Sequence, residues 1–143
     1  MRRSLASPAG FTLIEILVVV FIIGLLATIV SVNVIGQTDN ARITKAKADL
    51  KQIEQGLHLY KLDNGIYPTT DQGLAALVQK PTSAPQPRKY NAEGYIQKIP
   101  EDPWGNPYVY LSDGQSFVLR CFGGDGEQGG EGKNADIDSR DLG

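Results

Sequence analysis

A long apolar stretch near the N-terminus constrains this chain more than any other feature. Residues 16–32 form 17 consecutive positions without a charge, and extension back to Phe11 gives 22 positions with Glu15 as the single charged residue. A helix needs about 20 apolar residues to cross the roughly 30 Å hydrocarbon core of a bilayer. The sequence therefore predicts a membrane-spanning helix within residues 11–35.

Two other interpretations of the apolar stretch stay open. A secretory signal peptide normally has a shorter apolar region, and a buried core helix would need apolar cover that the remaining ~110 residues could scarcely provide. Arg2 and Arg3 precede the stretch, and the positive-inside rule keeps a short basic flank in the cytoplasm. We therefore expect a single-pass inner-membrane protein whose C-terminal part lies outside the cytoplasm, which in a two-membrane bacterium is the periplasm.

The position of Glu15 in the apolar stretch requires an explanation. Transfer of a carboxylate into hydrocarbon costs at least ~2.5 kcal/mol of free energy near the bilayer centre and less toward its edges. Its side chain could lie near the headgroups and reach water. Alternatively, it could await a cation from a partner molecule.

The segment after the apolar stretch, residues 37–63, has the periodicity of an amphipathic helix. No proline lies between Phe11 and Asp63, so one helix of about 50 residues is expected to run through both segments and to end at Asn64-Gly65. Its opposite face carries seven charged residues. The apolar positions, spaced three and four apart, are Ile43, Ala46, Leu50, Ile53, Leu57 and Tyr60.

The rest of the chain predicts a small α+β unit. We expect a short helix over residues 71–79, capped by Thr70 or Asp71. Residues 108–111 and 116–121 flank an Asp113-Gly114 turn and predict a β-hairpin. The fold expected is a long N-terminal helix packed on a small antiparallel sheet.

Residues 123–143 combine seven glycines with six acidic residues and only two basic ones, so we expect no contribution to a core. A disordered acidic tail is one interpretation. A site for a hard cation is the other, since flexible glycine carbonyls and Asp carboxylates are the ligands that Ca²⁺ takes.

Charge and residue counts exclude several classes of function. The net charge of −2 gives no surplus of basic residues for nucleic-acid binding. One cysteine, Cys121, excludes an intrachain disulfide, and one histidine, His58, excludes His-rich metal sites. Neither has an evident catalytic partner, and Glu101 and Asp102 lie in a turn-rich segment with Trp104, so we expect no catalytic residues.

Three stretches of the sequence resemble a known family. The first is Gly10-Phe11-Thr12-Leu13-Ile14-Glu15 ahead of the apolar run, which resembles the signature shared by all type IV pilin-like proteins. The others resemble more specifically the major pseudopilins of bacterial type II secretion systems, and the resemblance covers nearly the whole chain. They are residues 65–70 with Gln72-Gly73-Leu74, and Tyr95-Ile96 with residues 102–108, Gly124-Asp125-Gly126 and Ala135-Asp136-Ile137.

The resemblance implies processing and assembly through the N-terminus. A prepilin peptidase would cut between Gly10 and Phe11, removing residues 1–10 as a leader, and the new Phe11 amine would be methylated. Residues 11–35 would then be the transmembrane and assembly helix. Residues 36–143 would be a periplasmic pilin-like domain, with the helix continuing to about residue 63. Glu15 would pair with the Phe11 ammonium of a neighbouring subunit.

The resemblance also implies calcium as the cofactor, held by Asp125 and Asp136 with backbone carbonyls near them, and a calcium-ordered C-terminal loop. The function implied is structural: the chain would be the major subunit of a periplasmic filament that drives export of folded proteins across the outer membrane. Its partners would be further copies of itself, minor pseudopilins, the prepilin peptidase, an inner-membrane assembly platform and membrane lipid. The alternatives are a minor pseudopilin or type IV pilin subunit, or a membrane-tethered periplasmic calcium-binding module.

Overall fold

The computed structural model describes residues 10–142, without the side chains of residues 30–35. Arg2, Arg3 and most of the predicted leader therefore lie outside the described residues. The chain divides into two units with the boundary between Thr38 and Asp39.

The helix α1 spans Leu13–Asn64, 52 residues, which confirms the single long helix expected from the lack of proline. It ends where the Asn-Gly pair predicts. Gly65 has a φ of +81°, and its N–H donates to the carbonyl of Lys61 at 2.7 Å. Glycine adopts this left-handed conformation without steric cost, so the helix stops there.

An antiparallel sheet in the second unit has the order β1-β2-β3. The hairpin of β1 (Val109–Ser112) and β2 (Phe117–Cys121) is the predicted one, with Val109 opposite Arg120 and Ser112 opposite Phe117. The Asp113 carboxylate closes its turn by accepting the N–H groups of Gln115 and Ser116. The α+β fold class is thus confirmed.

The core of the second unit is one cluster built on the predicted face of α1. Leu50, Ile53 and Leu57 are fully buried, and they join Leu77 and Leu119 in this cluster. Burial of each such side chain contributes about 1.5–3 kcal/mol, so this cluster is the main source of the unit's stability.

The predicted helix at residues 71–79 is wrong in type and length. A 3₁₀-helix covers only Leu74–Leu77, and its N-cap is Gly73 with no side-chain cap. Thr70 does not cap it because its hydroxyl exchanges hydrogen bonds with the backbone of Ser112. The Gln72 side chain also bonds outside the helix, since its amide donates to the carbonyls of Ser83 and Pro85.

The expectation that residues 123–143 add nothing to the core is also wrong. β3 (Ile137–Asp138) pairs with β2, with Ile137 opposite Cys121, and the Ile137 side chain joins the core. Leu142 packs against it from a 3₁₀-helix at Ser139–Leu142. Two further 3₁₀-helices, Gly123–Asp125 and Gly132–Asn134, form the loop before β3.

Candidate functional site

The N-terminus of α1 carries a capping box that the sequence reasoning missed. Thr12 donates its backbone N–H and its hydroxyl to one Glu15 carboxylate oxygen at 2.7 and 3.0 Å, and the Glu15 N–H donates back to the hydroxyl at 3.3 Å. Threonine three residues before glutamate is the signature of this motif. Glu15 therefore has a local role in starting the helix besides any role between subunits.

Within the first unit, residues 11–29 expose their apolar side chains on every side of the helix. Phe11 is 83% exposed, and Leu17 and Phe21 are exposed to 60% and 71%. Among the residues whose side chains the structure describes, which exclude 30–35, no helix is both long and apolar enough to cross a membrane. A monomer in water would not leave so large an apolar surface uncovered, so this surface is a site of contact with other molecules.

The structure places the two predicted calcium ligands in one glycine-rich loop. The Asp125 carboxylate accepts the N–H of Glu127 at 3.2 Å, and the Asp136 carboxylate accepts the N–H of Gly129 at 3.0 Å. Both bonds hold backbone within the loop. Asp125 is exposed and Asp136 is half-buried, so cations from solvent can reach this loop.

The loop that carries Asp125 and Asp136 closes tightly around Asn134. Within the described part of the chain, no three carboxylate, imidazole or thiol groups gather around a common point. A Cβ atom on Gly123 or Gly130 would lie 2.8 or 2.5 Å from the Asn134 carbonyl oxygen, so only glycine lets the loop close around this residue. Asp125, Asp136 and the backbone carbonyls of the loop supply oxygen donors, which are the type of ligand that Ca²⁺ takes.

The chain after Asp136 is anchored to the sheet by an ion-pair network. Asp138 accepts hydrogen bonds from Arg140 at 2.7 Å and from Arg120 on β2 at 2.8 Å. The hydrogen bond from the Arg140 side chain is the main reason that the pKa of the Asp138 carboxyl lies well below its usual range, and the bond from Arg120 adds to the effect. The network fixes one end of the loop, while the other end is fixed by β2.

His58 and Cys121 contact side chains of the fold itself. The His58 Nδ1 lies 3.1 Å from the Tyr67 hydroxyl, and its Nε2 lies 3.7 Å from Glu54. The Cys121 thiol is buried and donates to Asp102 at 3.4 Å. Burial raises the pKa of Cys121 to about 11, so the reactive thiolate is scarce at neutral pH.

Family models match both parts of the chain. The family described as "Type II secretion system (T2SS), protein G" matches residues 33–140. The description "Prokaryotic N-terminal methylation motif" matches residues 6–31, which include the Gly10-Phe11 junction and Glu15.

Individual relatives and a solved structure agree with these matches. The chain is 53% identical over 135 residues to the type II secretion system core protein G of Pseudomonas aeruginosa, covering 93% of this chain and 95% of that one. It is 50% identical over 137 residues to the same protein of Vibrio cholerae, covering 94% and 93%. A crystal structure of the major pseudopilin of enterohaemorrhagic Escherichia coli matches with 44% identity and a TM-score of 0.67, covering 76% of this chain and 90% of that one. The resemblance identified from the motifs is confirmed, and the chain belongs to the protein G family of the type II secretion system.

Proposed function

We propose that this chain is the major subunit of a type II secretion pseudopilus, a structural protein that polymerises to drive export of folded proteins across the outer membrane. Two features carry this proposal: the helix of the first unit exposes its apolar side chains, and the second unit has a core of its own. Such a helix is suited to bury its surface in lipid before assembly and against other copies of itself afterwards.

The membrane location and the processing follow from the same segment. Before assembly, residues 11–35 span the inner membrane, and the second unit lies in the periplasm. A prepilin peptidase removes residues 1–10 and Phe11 is methylated at its new amine. Exposure of both Gly10 and Phe11 supports this step, because a protease must reach the backbone on both sides of the bond.

Within the filament, Glu15 pairs with the Phe11 ammonium of a neighbouring subunit. The carboxylate lies at the exposed first turn of α1, where one of its oxygens accepts both Thr12 donors. An ammonium from a second copy would neutralise a charge that is expensive in a lipid environment. Minor pseudopilins and an inner-membrane assembly platform are further partners in this proposal.

Calcium would be held by Asp125 and Asp136 together with backbone carbonyls of the loop. The ion would supply positive charge and several oxygen contacts to a segment that has few apolar side chains to stabilise it. Seven glycines between residues 123 and 143 lose much conformational freedom on folding, so an ion bound only to the folded loop stabilises it. The ordered loop would make the subunit competent to assemble.

The functional proposal is tested in a secreting bacterium whose own protein G gene is deleted. We expect the full chain to restore export of a secreted enzyme and to form filaments when overproduced. Protein purified from membranes should begin at a methylated Phe11, measured by mass spectrometry. Gly10→Leu should retain the leader and form no filaments, whereas Gly36→Leu, at another helix-segment glycine, should be processed normally.

Normal processing of Gly10→Leu would contradict the cleavage site. If the wild-type chain were processed but neither formed filaments nor restored export, the proposed function would be contradicted.

A further inference from the structure

A tight turn at residues 102–106 lies against the glycine-rich loop of residues 123–136, which carries Asp125 and Asp136 and is here named the cation loop. The buried Asp102 carboxylate accepts the N–H groups of Trp104 at 3.0 Å and Asn106 at 2.7 Å. The Asp102 N–H also donates to the Asn106 carbonyl at 3.0 Å. These three hydrogen bonds, two to the Asp102 carboxylate and one between backbone groups, restrict the conformation of the turn.

Two side chains of this turn contact the backbone on either side of Asp125. A Cβ atom on Gly124 would lie 3.1 Å from the Trp104 indole nitrogen, and one on Gly126 would lie 3.1 Å from the Asn106 side-chain amide. The segment that carries Asp125 therefore rests directly on Trp104 and Asn106. Both flanking residues are glycines, and a side chain at either position would lie closer to the turn than ordinary van der Waals contact.

The indole N–H of Trp104 is a buried donor without an acceptor. Its nitrogen is shielded from solvent and has no hydrogen-bond partner among residues 10–142. Buried polar groups are nearly always paired in folded proteins, so an unpaired donor beside this glycine-rich segment points to an acceptor that ligand binding supplies. The adjacent segment offers oxygen acceptors, namely its carbonyls and the Asp125 carboxylate.

We infer that Trp104 and Asn106 are positioning residues for the cation loop, with the Trp104 N–H donating to an oxygen of residues 124–126 when calcium is bound. This inference rests on the calcium binding proposed above. The rigid turn holds the backbone so that Asp125 faces the ion, and the ion in turn fixes the acceptor for the indole. Calcium affinity should therefore depend on two residues that do not ligate it.

The test is calorimetric titration of calcium chloride into the full chain in detergent. Trp104→Phe keeps an aromatic ring and removes the N–H, and Asn106→Ala removes the amide. We expect each to weaken calcium binding about fivefold to tenfold, Trp104→Phe through loss of one hydrogen bond and Asn106→Ala through loss of the contact with Gly126. Tyr90→Phe is the matched control, because the Tyr90 hydroxyl is also buried without a partner among the described residues but lies outside the loop. Its affinity should stay within twofold of wild type, as should that of Asn91→Ala.

A second measurement separates positioning from simple packing. Trp104 is the single tryptophan, so calcium should change the fluorescence of wild type and Asn106→Ala, while magnesium should not. Unchanged affinity in Trp104→Phe and Asn106→Ala would overturn the inference and leave calcium binding intact. A Trp104→Phe variant that melts lower in chelator but binds calcium like wild type would also overturn it. Failure of wild type to bind calcium would overturn both proposals together.

Discussion

Two stretches of the same helix differ in the exposure of their apolar side chains. Near its start, Ile16 and Leu17 are 51% and 60% exposed, whereas further along Leu50 and Ile53 are fully buried. The first stretch is apolar on every face, and the second has one apolar face and one charged face. A helix that is apolar all round can be covered only by many neighbours, whereas a single stripe can be covered by one small sheet. The difference separates a surface made for other molecules from one made for the chain's own core.

The largest effect is expected from a substitution in the first stretch that leaves the second stretch unchanged. Glu15→Leu should insert into membranes at least as well as wild type, since a costly charge is removed, but filaments and secretion should be lost. Assembly is measured by electron microscopy and export by the activity of a secreted enzyme.

Lys51→Leu is the control for this change, because it also replaces a charged residue by leucine but lies at an exposed position of the same helix outside the first stretch. It should still form filaments. Normal polymerisation of Glu15→Leu would contradict the intersubunit ion pair and leave Glu15 with its capping role alone.

The next effect tests the second stretch. Leu50→Ala leaves a cavity in the core and should lower the free energy of unfolding by about 3 kcal/mol, within the 2–5 kcal/mol typical of such changes. The measurement is urea unfolding of the full chain in detergent, followed by near-ultraviolet circular dichroism. Leu17→Ala should leave the same transition unchanged, and an equal loss in both variants would contradict the contrast between the stretches.

Removal of calcium should lower the stability of the second unit by a comparable amount. At a concentration of a hundred times its dissociation constant, an ion bound only to the folded state adds about 2.7 kcal/mol. We therefore expect chelator to lower the melting temperature of wild type and to have little effect on Asp125→Ala. Asp71→Ala, at an exposed carboxylate outside the loop, should respond like wild type. A wild-type midpoint that is indifferent to chelator would contradict calcium ordering of the loop.

The smallest of these effects concerns Asp138 and pH. Its pKa is lower in the folded state than in the unfolded state, so its contribution is complete above the unfolded value near 4 and is lost as the pH falls toward the folded value. Asp138→Asn should cost about 2 kcal/mol at pH 7 and flatten the loss of stability on acidification below pH 4. Denaturant midpoints from pH 7 to pH 2 measure both.

Asp39→Asn provides the comparison for this carboxylate. Asp39 lies 3.8 Å from an exposed Arg42, and surface pairs of this kind contribute little. If both variants had the same acid profile, the Arg120-Asp138-Arg140 network would not be the cause of the pH dependence.

Sequence patterns predicted the long elements well because those depend on local features. Proline absence, three-four spacing and the Asn-Gly pair were enough for α1, and the Asp-Gly turn was enough for the hairpin. The charged face of α1 was less uniform than its pattern indicated. Asp49 is only 14% exposed, bonded to Lys45 at 2.5 Å and to the Tyr108 hydroxyl at 3.0 Å. No spacing rule could predict Tyr108 as a partner, because it lies 59 residues away.

The sequence by itself determined which surface this chain keeps for other molecules. Continuous apolar character around a helix is a property of consecutive residues, and the motif at Gly10-Phe11 with Glu15 is equally local. Only the tertiary structure decided how the acidic C-terminal segment is used. Ile137 enters the core because β3 pairs with the edge of β2, and Trp104 meets Gly124 because Asp102 fixes the turn that carries Trp104. Such contacts join residues far apart in the chain, and their free energy comes from packing and from paired buried polar groups that no local pattern encodes.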